Sequence, residues 1–253
     1  MRKLAIVCLC LSYSATVSSG QTVTASAMSY VERGNQWIAK RNLDRAIADF
    51  SLAITFDPEL PAAWLNRGLA RLAKRDLAGS IGDLTRAIEL QPRNPRAYSN
   101  RAAARYLQGN LSQAILDCTE ALRINPKLAE AYANRGIAHR DQGDLDAALI
   151  DLNRAVALDG RNYRVLVDRA TVWALSGNLD RARADTLKAI RRNAASVEAW
   201  NNLGLIHKQQ GDLDGALSDF TRSLEIDAGV ADPWHNRGLT RYAKRDFEGD
   251  RGL

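Results

Sequence analysis

The sequence predicts an all-α fold built as an array of helical hairpins, and three observations predict it. Laid out from Ala27 in steps of 34, the chain falls into seven blocks without a gap, starting at Ala27, Pro61, Pro95, Ala129, Tyr163, Val197 and Ala231, the last incomplete. Small and apolar residues recur at three- and four-residue spacing in both halves of a block, the period of a helix with one face buried. The composition agrees: 46% of the 253 residues are hydrophobic but only 6% aromatic, and β-branched residues are sparse, which favours helix over a sandwich or barrel.

Ahead of the array, residues 1–20 read as a secretory leader. Arg2 and Lys3 form the charged start, Leu4 to Leu11 an apolar stretch too short to span a bilayer, and Ser12 to Gly20 a tail of small residues. Val17 and Ser19, or Ala25-Ser26-Ala27 further on, supply small residues for cleavage. This predicts an exported chain, periplasmic or secreted, with no stable membrane insertion after the leader is removed. A start at Met28 gives a cytoplasmic protein instead. Neither Cys8 nor Cys10 follows the small residue that a lipid-attachment box needs. The mature chain then keeps only Cys118, which excludes an internal disulfide and a multi-thiolate metal site and reads as a small buried apolar group.

The first helix of each block is marked by a large residue at its fourth position (Tyr30, Trp64, Tyr98, Tyr132, Leu166, Trp200, Trp234) facing a small one at its eighth (Gly34, Gly68, Ala102, Gly136, Ala170, Gly204, Gly238). The turn follows in segments such as Arg41-Asn42-Leu43-Asp44, Gly109-Asn110-Leu111-Ser112 and Gly143-Asp144-Leu145-Asp146. A left-handed Gly or Asn ends one helix there, and Asp or Ser caps the next. The second helix carries Ala or Ser at positions twenty and twenty-seven, from Ala46 and Ala53 to Ala216 and Ser223, so that two backbones can approach closely. Pro58, Pro92 and Pro126 stop it in the first three blocks. Gly160, Ala194 and Ala228 replace proline later, which predicts less fixed junctions.

These columns resemble the tetratricopeptide repeat family, in particular its bacterial exported members. The resemblance covers blocks 27–60, 61–94, 95–128, 129–162, 163–196 and 197–230, with 231–253 as a partial seventh that serves as a capping helix. It implies an α-solenoid, a right-handed superhelix of antiparallel helix-turn-helix hairpins. Gly249 and Gly252 fall where the last block would form its second helix, so that end is expected to fray.

The chain has a net charge of +6, with 28 arginines against seven lysines. Arginine fills the seventh position (Arg33, Arg67, Arg101, Arg135, Arg169, Arg237, with Leu203 the exception), and aspartate the twenty-third (Asp49, Asp83, Asp117, Asp151, Asp185, Asp219). Half-buried charged columns of opposite sign predict an Arg–Asp ladder within or between blocks. That accounts for much of the arginine. Arg71/Lys74/Arg75, Arg191/Arg192 and Arg241/Lys244/Arg245 are left at helix ends, where they complement helix dipoles. A basic face interleaved with stacking aromatics, as single-stranded nucleic acid requires, is missing.

With positions four, eight and eleven packed inward, positions two, five, six, nine, twelve and thirteen form the opposite stripe of the first helix. The family resemblance implies that this stripe lines a concave peptide-binding groove. Position six reads Glu32, Asn66, Asn100, Asn134, Asp168, Asn202, Asn236. The column resembles the asparagine ladder of the O-linked N-acetylglucosamine transferase repeats, and an amide offers both donor and acceptor to a peptide backbone. The competing reading is that asparagine tolerates a solvated face and bonds to the next repeat. Val31, Leu65, Leu69, Leu72, Tyr106, Leu107, Ile137, Val167, Leu205, Leu239 and Tyr242 add apolar surface, and Arg96, Arg140, Arg164 and Lys208 basic points. These favour an extended peptide with apolar and some acidic side chains. Asn35 and Asn66 also match a two-carboxylate clamp with Arg96 as a basic substitute, but Val31 and Asn100 stand where that clamp has Lys and Arg.

Chemistry-bearing constellations do not emerge. His139 and His207 share the eleventh position and are expected to pack on their partner helices, while His235 stands apart at a fifth position. His139-Arg140-Asp141 copies a kinase triplet, but Asp146 stands where the motif has Asn and no Gly-rich loop precedes it. Phosphate-binding loops, nucleophile elbows and paired-His motifs are absent, and neither a cofactor nor a metal is implied. The expected function is therefore a non-enzymatic scaffold that binds a partner protein or extended peptide. A basic nucleic-acid binder and an array that self-associates through the partial seventh block are the alternatives.

Overall fold

A computed structural model describes residues 26–244. The leader with Cys8 and Cys10, and the end of the seventh block after Lys244, lie outside the described residues. All described elements are α-helices: α1 (residues 26–39), α2 (Leu43–Phe56), α3 (Pro61–Ala73), α4 (Leu77–Leu90), α5 (Pro95–Leu107), α6 (Leu111–Ile124), α7 (Ala129–Asp141), α8 (Leu145–Leu158), α9 (Tyr163–Leu175), α10 (Leu179–Arg192), α11 (Val197–Gln209), α12 (Leu213–Ile226) and α13 (Ala231–Lys244). Two compact units divide between Pro126 and Lys127, the first holding α1 to α6 and the second α7 to α13. Within each unit a first helix packs on the second helix of its own block, and that second helix packs on the first helix of the next. First helices of successive blocks also touch, as α3 with α5 and α9 with α11.

The turn inside each described hairpin is a Schellman stop, followed by an Asx cap in all but the turn at Asn110. Arg41, Arg75, Gly109, Gly143, Gly177 and Gly211 take positive φ, and the next N–H reaches back to the fifth preceding carbonyl, as Asn42 to Trp37 and Asp144 to His139. Asn42, Asp76, Asp144, Asn178 and Asp212 then accept the N–H of the third residue on. This corrects the sequence reading. Asn42 is the cap, not the left-handed residue, and Asp44 and Ser112 already lie inside the helices that they were expected to cap. Only a side chain just outside the first turn can reach that N–H.

The second helices stop in one register with or without proline. Asp57, Asp159, Asn193 and Asp227 each follow the last helical residue and accept the N–H two residues on, closing a turn that needs no pyrrolidine ring. The junctions at Gly160, Ala194 and Ala228 therefore keep the same geometry.

The core of each hairpin is set by size matching between positions eight and twenty-four. A Cβ built on Gly34 would lie 2.4 Å from the Phe50 ring, and one on Gly204 would lie 2.6 Å from Phe220. Gly68 and Gly136 face Leu84 and Leu152, each 2.8 Å from such a Cβ. Where position eight carries a methyl group, as Ala102 and Ala170, position twenty-four shrinks to the fully buried Cys118 and Thr186. Cys118 is therefore a packing residue, as expected.

The buried stripe of the first helices is wider than the sequence suggested. Position three (Ala63, Ala97, Ala131, Val165, Ala199) and position ten (Ala70, Ala104, Ala138, Val172, Ile206) are buried. Position five partly joins them, since Val31 at 4% exposure packs in the core with Ala46 and Phe50. α1 is covered both by α2 of its own block and by α3 of the next, so Val31 leaves the groove stripe.

Candidate functional site

The charged columns form the framework of the site. Arg33, Arg67, Arg101, Arg135 and Arg169 each make a two-pronged pair with the aspartate of their own block, Nε to Oδ2 and Nη2 to Oδ1, at 2.6 to 3.0 Å. The guanidinium of Arg33 beside Asp49 holds that carboxyl below the usual range. The remaining nitrogen reaches the preceding block, Nη1 of Arg67 donating to Ser51, of Arg101 to Thr85 and of Arg169 to Asn153. Where position four is aromatic and position seven arginine, the ring lies against that guanidinium, 4.9 Å away for Trp64 and Arg67 and 4.4 Å for Trp234 and Arg237. In the block that carries Leu203, His207 takes over: its Nδ1 lies 2.6 Å from Oδ2 of Asp219. Burial raises the Asp219 carboxyl even so, against the hydrogen bond from His207.

Several of the basic residues left over by the ladder are also paired. Arg71 and Arg105 give Asp83 and Asp117 a second donor, Arg86 bridges Glu59 and Glu89, and Lys74 and Lys244 pair with Asp44 and Asp214 of the block before. Trp37 and Trp173 replace the second arginine in two blocks, and there Arg45 and Arg181 stack on the indole instead.

The asparagine column is only partly available. The Asn66 amide donates to Oδ1 of Asn35, Asn202 to Oγ1 of Thr171, and Asn236 to Oδ1 of Asn201, each at 3.0 Å and each across a block boundary. Bonding to the neighbouring repeat is thus realised in three of the rungs. Each such amide keeps one N–H and its carbonyl oxygen for a ligand. Asn100 with Tyr106 on α5, and Asn134 with Ile137 on α7, are half-buried, and Arg96 is exposed in the first turn of α5.

Two apolar dimples lie on these faces at equivalent places. In the first unit Asn35, Ile38, Asn66 and Leu69 wall a hollow of about 170 Å³ between α1 and α3. In the second, Thr171, Ala174, Leu175, Asn202 and Leu205 wall one of about 130 Å³ between α9 and α11. The sequence reading had Asn35, Asn66, Leu69, Asn202 and Leu205 but missed Ile38, Thr171, Ala174 and Leu175. The shared ninth position of Asn35 and Thr171 was the signal available.

A charged hollow of about 200 Å³, nearer the start of α9 and α11, joins Arg164, Val167 and Asp168 to Ser196 and Glu198. Asp168 is 25% exposed and 3.9 Å from Nη1 of Arg140. Both arginines bond elsewhere, Arg140 through Nε to Asp141 and Arg164 through Nε to the Tyr163 hydroxyl. Ser196 donates to Glu198. Burial pushes the Asp168 carboxyl up to about 6; Arg140 and Arg164 oppose the rise, and Asp141 and Glu198 add to it.

Models of the tetratricopeptide repeat match residues 24–84, 95–128, 129–162 and 197–229. No curated protein matches the sequence. Among solved structures, the APC/C hetero-tetramer Cut9-Hcn1 contains a chain similar at a TM-score of 0.80 and 13% identity, over 90% of this chain and 46% of that one, so this chain spans less than half its length. PilF of Pseudomonas aeruginosa is similar at 0.72 and 15% identity, over 86% of this chain and 99% of that one. YrrB, described as having an unusual peptide-binding site, is similar at 0.56 and 19% identity, over 75% of this chain and 98% of that one. At these identities the likeness is one of fold.

Proposed function

Because the chain belongs to the tetratricopeptide repeat family, we propose that it is a non-enzymatic scaffold holding an extended segment of a partner protein on the faces of its first helices. The observation that carries this reading is the pair of equivalent dimples, each with apolar walls and an asparagine at its rim that keeps unused donor and acceptor capacity. The nucleic-acid alternative loses ground because the arginine column and several other basic residues are paired within the chain.

Self-association through α13 is a second reading, favoured by the exposure of Trp234, Leu239 and Tyr242 at 38%, 45% and 71%. Sedimentation of the chain beside a Trp234→Ser/Tyr242→Ser variant tests it, a concentration-dependent oligomer lost in the variant being the supporting result.

Capture from native extract tests the main reading, with the mature chain run beside a Leu69→Arg/Leu205→Arg variant of unchanged helicity. A protein held by the first and lost by the second supports it. Identical capture by both, or none by either, overturns it. Export through residues 1–20 belongs to the proposal, and the intact mass of the chain from its native host tests it. A mass that begins at Met1 or Met28 is the contrary result.

A further inference from the structure

We infer that the two dimples are equivalent subsites that read the same feature of a partner segment: an apolar side chain with a lysine or arginine within two residues of it. This rests on the reading of the first-helix faces as partner-binding and adds the chemistry of what they hold.

The argument starts from where the sixth column departs from asparagine. Its two acidic members, Glu32 and Asp168, belong to blocks one and five, and those blocks supply the leading walls of the two dimples through Asn35 and Thr171. On a helix these pairs, three residues apart, share one face. The same two blocks also share Trp37 and Trp173, and Arg45 and Arg181, while blocks two and six share the opposite walls Asn66 and Asn202, Leu69 and Leu205. The dimples thus recur with a four-block period, and a carboxylate recurs with them.

Charge complementarity selects the ligand. Around Asp168, three acids (Asp141, Asp168, Glu198) face two bases (Arg140, Arg164), on a chain whose net charge is +6. Among the described residues the Asp168 carboxylate accepts no hydrogen bond, and its nearest cation is the Arg140 nitrogen at 3.9 Å. A mostly buried carboxylate without a donor is costly unless a cation arrives with the ligand. A lysine or arginine supplies that donor while the neighbouring apolar side chain fills the hollow walled by Leu175 and Leu205. Glu32, exposed on α1 three residues before the wall residue Asn35, offers the same partner charge to a segment seated in the hollow walled by Ile38 and Leu69. Side chains two residues apart on an extended segment are roughly 7 Å apart, which with the reach of a lysine matches one helical turn between carboxylate and dimple.

The experiment selects a displayed random-peptide library on the full chain, then measures the enriched peptides by fluorescence anisotropy against wild type and variants. The expected peptides place Lys or Arg within two residues of Leu, Ile, Val, Met or Phe. Asp168→Asn and Glu32→Gln each weaken binding at their own subsite by roughly three- to tenfold, and Leu205→Arg halves the stoichiometry. Melting temperature separates recognition from fold, because Asp168→Asn is expected to raise it while lowering affinity. Peptides without a basic residue, or unaffected by Asp168→Asn but lost in the Leu69→Arg/Leu205→Arg variant, overturn this inference and leave the partner-binding face intact. Peptides indifferent to that double variant, or no enrichment at all, overturn both.

Discussion

Ala102 and Cys118 together fill the slot between α5 and α6 that Gly68 and Leu84 fill between α3 and α4. The methyl group gained on one helix is met by a smaller side chain on the other. Cys118→Leu should therefore overpack the slot and lose about 1–3 kcal/mol. Adding Ala102→Gly restores the glycine–leucine combination, and the double variant should recover all but about 0.5–1 kcal/mol, the helix cost of glycine. Urea melts followed by circular dichroism decide it; equal losses in single and double variants would contradict the size matching.

His207 is the donor that stands in for arginine opposite Asp219. Its removal leaves a buried carboxylate without that partner, and His207→Ala is expected to cost roughly 2–3 kcal/mol. Leu203→Arg in the same background rebuilds the pairing seen in blocks one to five and should return most of the loss. A double variant no better than His207→Ala shows that the imidazole acts by packing.

Arg41 and Arg75 occupy the left-handed position that later turns give to glycine, with φ of 57° and 65°. Neither guanidinium is needed for the turn, which is built from backbone bonds. Replacing each with glycine should stabilise the chain by about 0.5–1 kcal/mol through relief of the Cβ contact. A drop in melting temperature for both variants would mean that the side chains contribute more than the backbone strain removes.

Asp168 carries the pH dependence of its face. A carboxyl whose folded pKa of about 6 lies above its unfolded value favours folding while protonated, so that contribution is full below about pH 4 and lost as the pH rises through 6. Asp168→Asn should raise stability at pH 7.5 by roughly 1–2 kcal/mol, allowing for water at the exposed quarter of the side chain, and change little at pH 4. Melts at both pH values test the sign. An equal gap between variant and wild type at each would remove the carboxyl from the account.

The Arg–Asp ladder was legible because two charged columns of opposite sign recur sixteen residues apart, a spacing that a hairpin closes. Its other bonds were not. The second donors Arg71 and Arg105, and the reach of Arg67 to Ser51, depend on how a neighbouring helix sits. The asparagine column had the same difficulty, because Asn66 finds Asn35 in the block before, a separation that the period within one block does not display. Val31 was misplaced because helical periodicity marks a single apolar face, whereas these helices are covered on two. The missing donor at Asp168 follows from where Arg140 and Arg164 turn, which only three-dimensional packing determines.

The third nitrogen of three ladder arginines has a consequence for how such a chain grows. Arg67, Arg101 and Arg169 bring their own fastening to the block before, a hydroxyl or amide at its twenty-fifth position. A newly duplicated segment therefore arrives already complementary to the copy that produced it, and tandem expansion needs no compensating mutation at the seam. Array length becomes heritable in whole units, and selection can revise the surface column one unit at a time.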